Sequence, residues 1–280
     1  MVTGLQLTVG THRHSALAAG PETGELVLLL HGWAEFADSW TEVLTALGEA
    51  GYRAVAVDQR GYAPAARPPD VELYSVRHLV TDVIAFAAAL GSDRFHLIAH
   101  DWGAVVGWAL ATAHPDRLRS LTALTSPHPA ALRKAAETDE QQQQALSYIR
   151  FFRRADGRAE SYLLADGCAR LRALYGRSLP AAQIERNLAR LSEPGALTAT
   201  LNWYRGPDSE FDLPVGRIAV PTLFLWGSED PRFGRAAAEL TSSFVDGEYR
   251  FAVIKGASHW LPQESAETIL PLVLEHLERH

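Results

Sequence analysis

The 280-residue sequence predicts an α/β protein in which a doubly wound, mostly parallel sheet of eight strands carries an inserted helical cap. Three observations support this class. Apolar, strand-like runs alternate with helical patterns near both ends of the chain, as in parallel sheets covered by helices. The alternation stops in the middle of the chain. Apolar residues make up 47% of the sequence, which is ample for a large core and excludes a disordered or fibrous protein.

Each strand is predicted from a short apolar run. Two strand-like stretches at the N-terminus lead into residues 25–30, which are apolar enough to be buried on both faces of a sheet. Helical patterns separate most of the later strands, including one at residues 104–114, so most neighbouring strands should be parallel. The five later strands are expected at residues 53–57, 95–99, 121–124, 221–226 and 249–254.

The middle of the chain has a different pattern. Ala, Leu, Arg and Gln dominate there, only helical periodicity remains, and prolines mark both borders, as is usual where segments meet. We therefore expect a helical cap domain over residues 129–214, inserted between the two parts, 1–128 and 215–280, of a core domain.

Charge and cysteine content restrict the partners. A net charge of −7 gives no electrostatic reason to bind nucleic acid or an anionic membrane surface, so a small neutral molecule fits better. No apolar run approaches the ~18 residues of a membrane span, and the N-terminus lacks the pattern of a secretory leader. The single cysteine, Cys168, excludes an intramolecular disulfide. We expect a soluble, cytoplasmic protein; the sequence leaves monomer or homodimer open.

The most informative motif is His100-Asp101-Trp102-Gly103, between a predicted strand and a predicted helix. It places a carboxylate where the nucleophile-elbow pattern G-x-S-x-G has a serine, and the small Ala99 and Gly103 flank it as that tight turn requires. An aspartate attacks saturated carbon and leaves an alkyl ester that water can cleave, so epoxides or alkyl halides are the expected substrates. The alternative interpretation is an aspartate that caps the following helix.

Hydrolysis of the alkyl ester needs a base that activates water and an acidic residue that orients the base. His259, in the loop Gly256-Ala257-Ser258-His259-Trp260 after the last strand, is the favoured base, because the neighbouring His100 should point elsewhere on a tight elbow. The segment Gly227-Ser228-Glu229-Asp230-Pro231 offers two acids, and we favour Asp230 over Glu229. The alternative for Asp230 is a turn aspartate before proline. The chain order Asp101, Asp230, His259 is the usual nucleophile, acid, base order.

Four motifs together resemble the α/β-hydrolase fold, and within it the epoxide hydrolases, from about Leu7 to the C-terminus. The motifs are His31-Gly32-Trp33, Asp58-Gln59-Arg60-Gly61-Tyr62, His100-Asp101-Trp102-Gly103 and Gly256-Ala257-Ser258-His259-Trp260.

The resemblance implies two cap tyrosines that donate hydrogen bonds to the epoxide oxygen. Tyr204, in Leu201-Asn202-Trp203-Tyr204-Arg205-Gly206, is the first, and Tyr148, in Tyr148-Ile149-Arg150-Phe151-Phe152, is the second. A phenol suits this role because it stays protonated at neutral pH yet can donate to a basic alkoxide. Tyr162 and Tyr175 are reserve candidates, and each tyrosine could instead be an ordinary packing residue.

The resemblance also implies an oxyanion hole formed by the backbone N–H groups of Trp33 and Trp102. The chain departs from the family pattern here, since His31-Gly32-Trp33 is followed by Ala34 where the family has proline. A cis peptide is therefore not expected. Aromatic residues beside the motifs predict a substrate pocket walled by Trp33, Trp102, Trp203, Trp260, Phe151 and Phe152.

The expected activity is therefore hydrolysis of an apolar or aromatic epoxide to a vicinal diol, with water as co-substrate and with no cofactor and no metal. Asp101 forms the alkyl-enzyme ester, and His259 with Asp230 activates water. A haloalkane dehalogenase shares the nucleophile and the base and is the alternative, although it does not need paired cap tyrosines. A protein of the same fold that binds a small ligand without catalysis is a further alternative.

Overall fold

The computed structural model describes residues 1–176, 178–207 and 215–280. In these residues eight strands form one sheet in the order β1-β2-β4-β3-β5-β6-β7-β8. β2 pairs antiparallel with β1 and β4, and all other pairs are parallel, which confirms the predicted sheet. The strands are β1 (Thr3–Val9), β2 (His12–Ala19), β3 (Leu26–Leu30), β4 (Arg53–Val57), β5 (Phe95–His100), β6 (Leu118–Leu124), β7 (Thr222–Gly227) and β8 (Tyr249–Ile254).

Helices follow most of the strands. Those from α4 to α9 lie between β6 and β7, and we call them the inserted helices. None of the helices in the described ranges is both long and apolar enough to span a bilayer. The helices are α1 (Thr41–Glu49), α2 (Val76–Ala89), α3 (Trp102–Ala113), α4 (Pro129–Ala136), α5 (Glu140–Ala145), α6 (Tyr148–Phe152), α7 (Arg158–Ala173), α8 (Ala181–Leu191), α9 (Ala196–Arg205), α10 (Arg235–Leu240), α11 (Leu261–Glu264) and α12 (Ala266–Glu278).

The central strand β3 is buried on both faces, as a doubly wound sheet requires. All five of its residues are buried, because helices cover both faces. Leu28 and Leu30 point into one apolar cluster, which includes residues of α2 and α3. Val27 and Leu29 point into a second cluster, which includes residues of α1 and α12. A continuous apolar run, without polar alternation, is the sequence that such a strand requires.

Two predicted elements differ from the structure by more than one residue at a boundary. β6 starts at Leu118, three residues before the predicted start, because Leu118 pairs with Phe95 of β5 across a bulge. The charge of Arg119 hides this extension in the sequence. Its guanidinium forms an ion pair with Glu25, the residue immediately before β3. The helix predicted at 104–114 is Trp102–Ala113, since the N–H groups of Ala104 and Val105 already bond to the carbonyl of Asp101.

The predicted cap, residues 129–214, contains the inserted helices. No strand is found in residues 129–176 and 178–205. Its predicted C-terminal border at Pro214 lies outside the described residues. α7 is interrupted at residues 165–168, where Asp166, Gly167 and Cys168 all have positive φ.

Candidate active site

Asp101 occupies the sharp turn between β5 and α3. Its φ of 49° and ψ of −120° are unusual for a residue with a side chain, and such strain is typical of functional turns. Two glycines make room for this turn. A Cβ atom on Gly32 would lie 2.4 Å from the Cβ of Asp101, and one on Gly103 would lie 2.4 Å from the carbonyl oxygen of Leu30. The predicted small residue after the elbow is therefore required sterically.

Asp101 is 7% exposed, and its carboxylate has a partner on each oxygen. The backbone N–H of Trp33 donates to Oδ1 at 2.8 Å, and Nε2 of His259 lies 3.4 Å from Oδ2. Trp102 is the first residue of α3, where a helical N–H has no partner within the helix. Of the two amides predicted for the oxyanion hole, that of Trp33 donates a hydrogen bond to Asp101, and that of Trp102 belongs to the next residue in the chain.

His259 is oriented from its other side by Asp230. The distance between His259 Nδ1 and Asp230 Oδ2 is 3.0 Å. The second oxygen of Asp230 accepts hydrogen bonds from the N–H groups of Arg232, at 2.7 Å, and Phe233, at 3.2 Å. Glu229, the other sequence candidate, is exposed. Asp101, His259 and Asp230 therefore form one continuous chain of polar contacts, with the loops after β5, β7 and β8 each supplying one member.

These contacts set the charges of the group. Burial disfavours the imidazolium form of His259, but the carboxylates of Asp230 and Asp101 outweigh it and raise the pKa to about 9. Burial likewise disfavours the Asp101 carboxylate, and the hydrogen bond and charge of His259 outweigh that effect and lower the pKa of Asp101. At neutral pH Asp101 is therefore an anion, which a nucleophile must be, and His259 is a cation.

His100 is held away from Asp101, as the sequence predicts. Its Nδ1 lies 2.8 Å from Glu35 Oε2, and its Nε2 lies 2.8 Å from the carbonyl oxygen of His259. Glu35 is completely buried and also accepts a hydrogen bond from Gln263. Burial disfavours the Glu35 anion, but His100 outweighs burial and lowers the pKa of Glu35. Sequence reasoning missed Glu35, although an acidic residue soon after His31-Gly32 was a usable signal.

Both predicted tyrosines belong to the inserted helices and approach this site. Tyr204 in α9 is buried, and its ring centre lies 5.0 Å from that of Trp102 and 5.7 Å from that of Trp33. The ring centre of Tyr148 in α6 lies 6.2 Å from that of Tyr204. The two phenol rings are thus neighbours, and the ring of Tyr204 packs on the rings of both tryptophans.

The reserve tyrosines differ from these two. Tyr162 is 50% exposed, packs on Phe151 and lines a cavity that Tyr148 also lines. Tyr175 is buried, and its hydroxyl donates to the carbonyl oxygen of Ala34 at 2.5 Å. Tyr175 therefore ties the inserted helices to the loop that carries Trp33.

A cavity of about 750 Å³ opens beside Tyr148. Phe151 and Phe152, two of the predicted pocket residues, line it together with Leu163, Leu174 and Arg232. The other predicted pocket residues are placed differently. Trp33 and Trp102 pack on Tyr204, and Trp260 packs on His259 with ring centres 5.1 Å apart. Trp203 is 1% exposed, and its indole N–H donates to the carbonyl of Arg60 at 2.8 Å.

Comparison with known proteins gives the family. A family model described as the alpha/beta hydrolase fold matches residues 25–266. This chain belongs to the α/β-hydrolase family. An AB hydrolase superfamily protein of Bacillus subtilis, YfhM, is 34% identical over 97% of this chain and 96% of its own length. Epoxide hydrolase A of Mycobacterium tuberculosis is 32% identical over 95% of this chain and 94% of its own length.

A solved structure agrees with this assignment. The crystal structure of a Bacillus megaterium epoxide hydrolase in complex with an inhibitor matches with a TM-score of 0.88 and 25% identity, and covers 98% of this chain and all of that one (100%). Within the α/β hydrolases the chain is thus a member of the epoxide hydrolase family, whose enzymes hydrolyse ether bonds.

The second residue of this hydrolase that sequence reasoning missed is Arg232. It follows Asp230-Pro231, lines the cavity, and lies with its Cζ atom 5.5 Å from the ring centre of Tyr148. A basic residue two positions after the predicted acid was the available signal. In the described ranges no three His, Cys, Asp or Glu side chains cluster so as to hold a metal ion.

Proposed function

We propose that this enzyme hydrolyses epoxides to vicinal diols, with Asp101 as the nucleophile. The observation that carries the proposal is the Asp101 carboxylate itself, held at a strained elbow by the Trp33 N–H at 2.8 Å, with His259 Nε2 at 3.4 Å. The epoxide hydrolases among its relatives give independent support for the reaction class.

Ring opening is the first step. One carboxylate oxygen of Asp101 attacks an epoxide carbon as the bond from that carbon to the ring oxygen breaks, and an ester forms. The leaving alkoxide is strongly basic, so Tyr148 and Tyr204 donate hydrogen bonds to it, and one of them transfers its proton. Support comes from the proximity of the two rings, 6.2 Å apart, and from the contact of Tyr204 with Trp102.

Ester hydrolysis is the second step. His259 Nε2 takes a proton from water, which attacks the carbonyl carbon of the Asp101 ester, and Asp230 stabilises the resulting imidazolium. The oxyanion of the intermediate accepts hydrogen bonds from the N–H groups of Trp33 and Trp102. Collapse breaks the bond to the alkyl oxygen, the imidazolium of His259 donates the proton that this oxygen needs, and Asp101 is restored, so one oxygen of the original carboxylate leaves with the diol.

Ester formation itself prepares His259 to act as a base. The free enzyme has His259 largely protonated at neutral pH, since the carboxylates of Asp230 and Asp101 raise the pKa to about 9. The ester has no charge, so Asp101 no longer raises the pKa of His259, and that pKa falls. His259 can then release its proton, which restores the tyrosine that protonated the alkoxide, and accept one from water.

We further propose that residues 129–214 act as a cap domain over the nucleophile and bind an apolar or aromatic substituent. Three contacts support this role: Trp203 with the Arg60 carbonyl, Tyr175 with the Ala34 carbonyl, and an ion pair between Arg190 and Asp58. The apolar walls of the cavity beside Tyr148 suit an apolar or aromatic group.

The decisive test incubates wild type and Asp101→Ala with a panel of aryl and alkyl epoxides and with haloalkanes, following diol and halide together. Diol from wild type alone supports the proposal. Halide release without diol favours the haloalkane dehalogenase and removes the assigned role of both tyrosines. Diol formation by Asp101→Ala at the wild-type rate contradicts the mechanism.

A further inference from the structure

Arg232 is tied to the catalytic loop by its backbone. Its N–H donates to Asp230 Oδ1 at 2.7 Å, so the residue that orients His259 also fixes the start of the Arg232 side chain. The side chain then extends into the cavity wall beside Tyr148. A cation therefore lies next to one of the phenols assigned to the epoxide oxygen.

Two aromatic rings flank the guanidinium. Its Cζ lies 5.5 Å from the ring centre of Tyr148 and 5.9 Å from that of Trp260, distances at which a cation is attracted by a ring. Burial disfavours the charged form, but Tyr148, Asp101 and other acidic groups of the site outweigh it and raise the pKa of Arg232. Arg232 therefore stays charged.

The hydrogen-bond donors of this guanidinium have no partner among the described residues. Within residues 1–176, 178–207 and 215–280, no hydrogen bond or ion pair of the Arg232 side chain is found, and the guanidinium lies over the rings of Tyr148 and Trp260. Other buried arginines are paired: Arg60 with Asp82 at 2.7 Å and Arg205 with Glu160 at 2.7 Å. A partly buried guanidinium facing a cavity with free in-plane donors matches the geometry of a carboxylate.

We propose that Arg232 binds a carboxylate of the substrate, and that the enzyme prefers 2,3-epoxy carboxylates whose other substituent is apolar. The inference rests on the proposed epoxide hydrolysis. A carboxylate on the oxirane ring can reach Arg232 because the ring oxygen is assigned to Tyr148, next to the guanidinium. The apolar substituent then lies along Phe151, Phe152 and Leu174.

The charges of the site favour this assignment. Asp101 and Asp230 bring two negative charges, and protonated His259 together with Arg232 brings two positive ones. A substrate carboxylate beside the Asp101 nucleophile is repelled unless a cation lies close to it. Arg232 supplies that cation without occupying the path between Asp101 and the epoxide carbon, since its contacts are with Tyr148 and Trp260.

The test compares phenylglycidate with phenylglycidamide, which have the same shape and differ in charge. Diol formation is measured with wild type, Arg232→Met, Arg232→Lys and Arg235→Met. Arg235 is a matched control, because it also lies over an aromatic ring, Trp226, but is exposed, paired with Glu239 and outside the cavity.

Wild type should show a kcat/KM about 10- to 100-fold higher for the acid than for the amide, the range of one charge-assisted hydrogen-bonded pair. Arg232→Met should lower kcat/KM for the acid by that factor more than for the amide, Arg232→Lys should retain part of the preference, and Arg235→Met should behave as wild type. Equal kcat/KM values for acid and amide in wild type overturn the proposal. An equal loss on both substrates in Arg232→Met also overturns it.

A binding measurement separates this proposal from the proposed function. Asp101→Asn lacks the nucleophile, so calorimetry can compare its affinity for phenylglycidate and phenylglycidamide without turnover. Tighter binding of the acid, lost in the Asp101→Asn/Arg232→Met double variant, supports carboxylate recognition; equal affinity contradicts it. Turnover of styrene oxide by wild type together with no preference for the acid leaves epoxide hydrolysis standing and rejects only the role of Arg232.

Discussion

The loops at the sheet edge and the inserted helices hold their functional side chains in different ways. At the sheet edge, Asp101, His259 and Asp230 are joined by polar contacts of 2.7 to 3.4 Å, several of them to backbone N–H groups. In the inserted helices, Tyr148 and Tyr204 pack on neighbouring rings, with centres 5.0 to 6.2 Å apart. Polar contacts thus align the sheet-edge groups, while ring packing brings the two phenols together.

The nucleophile should show the largest effect. Asp101→Ala removes the atom that forms the covalent bond, so diol formation should fall by at least ~10⁴-fold. Steady-state assays with an epoxide that wild type converts measure the loss, and a circular dichroism spectrum confirms that the variant is folded. A residual rate within tenfold of wild type is incompatible with covalent catalysis.

Loss of the base should have the second largest effect on turnover, and it should reveal the intermediate. His259→Gln leaves ring opening possible but removes the group that activates water, so turnover should fall by about 10³-fold or more. The ester on Asp101 should accumulate, and mass spectrometry of intact protein should show the added mass of one substrate. Absence of the adduct under conditions where wild type turns over argues that His259 acts in the first step.

The phenols should matter less than the sheet-edge groups, because each can partly replace the other. Tyr204→Phe and Tyr148→Phe should each slow ester formation by about 10²-fold, in the range of general acid catalysis, and the double variant should lose more. Stopped-flow tryptophan fluorescence can follow this step. Tyr52→Phe is the matched control, since that ring packs on His96 and lies outside the cavity. Unchanged rates in both single variants would place the oxygen-binding groups elsewhere.

The charge on Asp101 should control the titration of His259. In wild type the pKa of His259 is about 9, above its ordinary 6.5, so its proton stabilises the fold below pH 6.5 and this contribution is lost as pH rises through 9. Asp101→Asn removes one raising charge, so the pKa should fall. NMR titration of the histidine ring measures the shift, and thermal unfolding should lose less stability between pH 6.5 and 9 than wild type. An unaltered titration would show that Asp230 alone raises this pKa.

The smallest effect concerns the contact between the two regions. Tyr175→Phe removes the hydrogen bond to the Ala34 carbonyl and leaves that buried acceptor unpaired, which should lower the free energy of unfolding by about 1–3 kcal/mol. Chemical denaturation measures this change, and Tyr162→Phe, which alters an exposed ring, serves as the control. Equal stability of the two variants would mean that this bond contributes nothing to the attachment of the inserted helices.

Sequence patterns were most informative where local chemistry dictates the backbone. The continuous apolar run of β3 and the small residues around Asp101 reflect steric and burial requirements that a reader of the sequence can recognise. The contacts of Glu35 and Arg232 could not be predicted, because each depends on which distant loop its side chain meets. The early start of β6 was missed for the same reason, as Arg119 is accommodated there by Glu25 from another part of the chain.

The central claim is that the first product molecule carries an oxygen from Asp101, and a single turnover in ¹⁸O-labelled water tests it most directly. Enzyme in excess over epoxide should release unlabelled diol in the first turnover, and the peptide that contains Asp101 should gain ¹⁸O. Diol that carries ¹⁸O from the first turnover, with no label in Asp101, would contradict the ester mechanism and indicate direct attack of water on the epoxide.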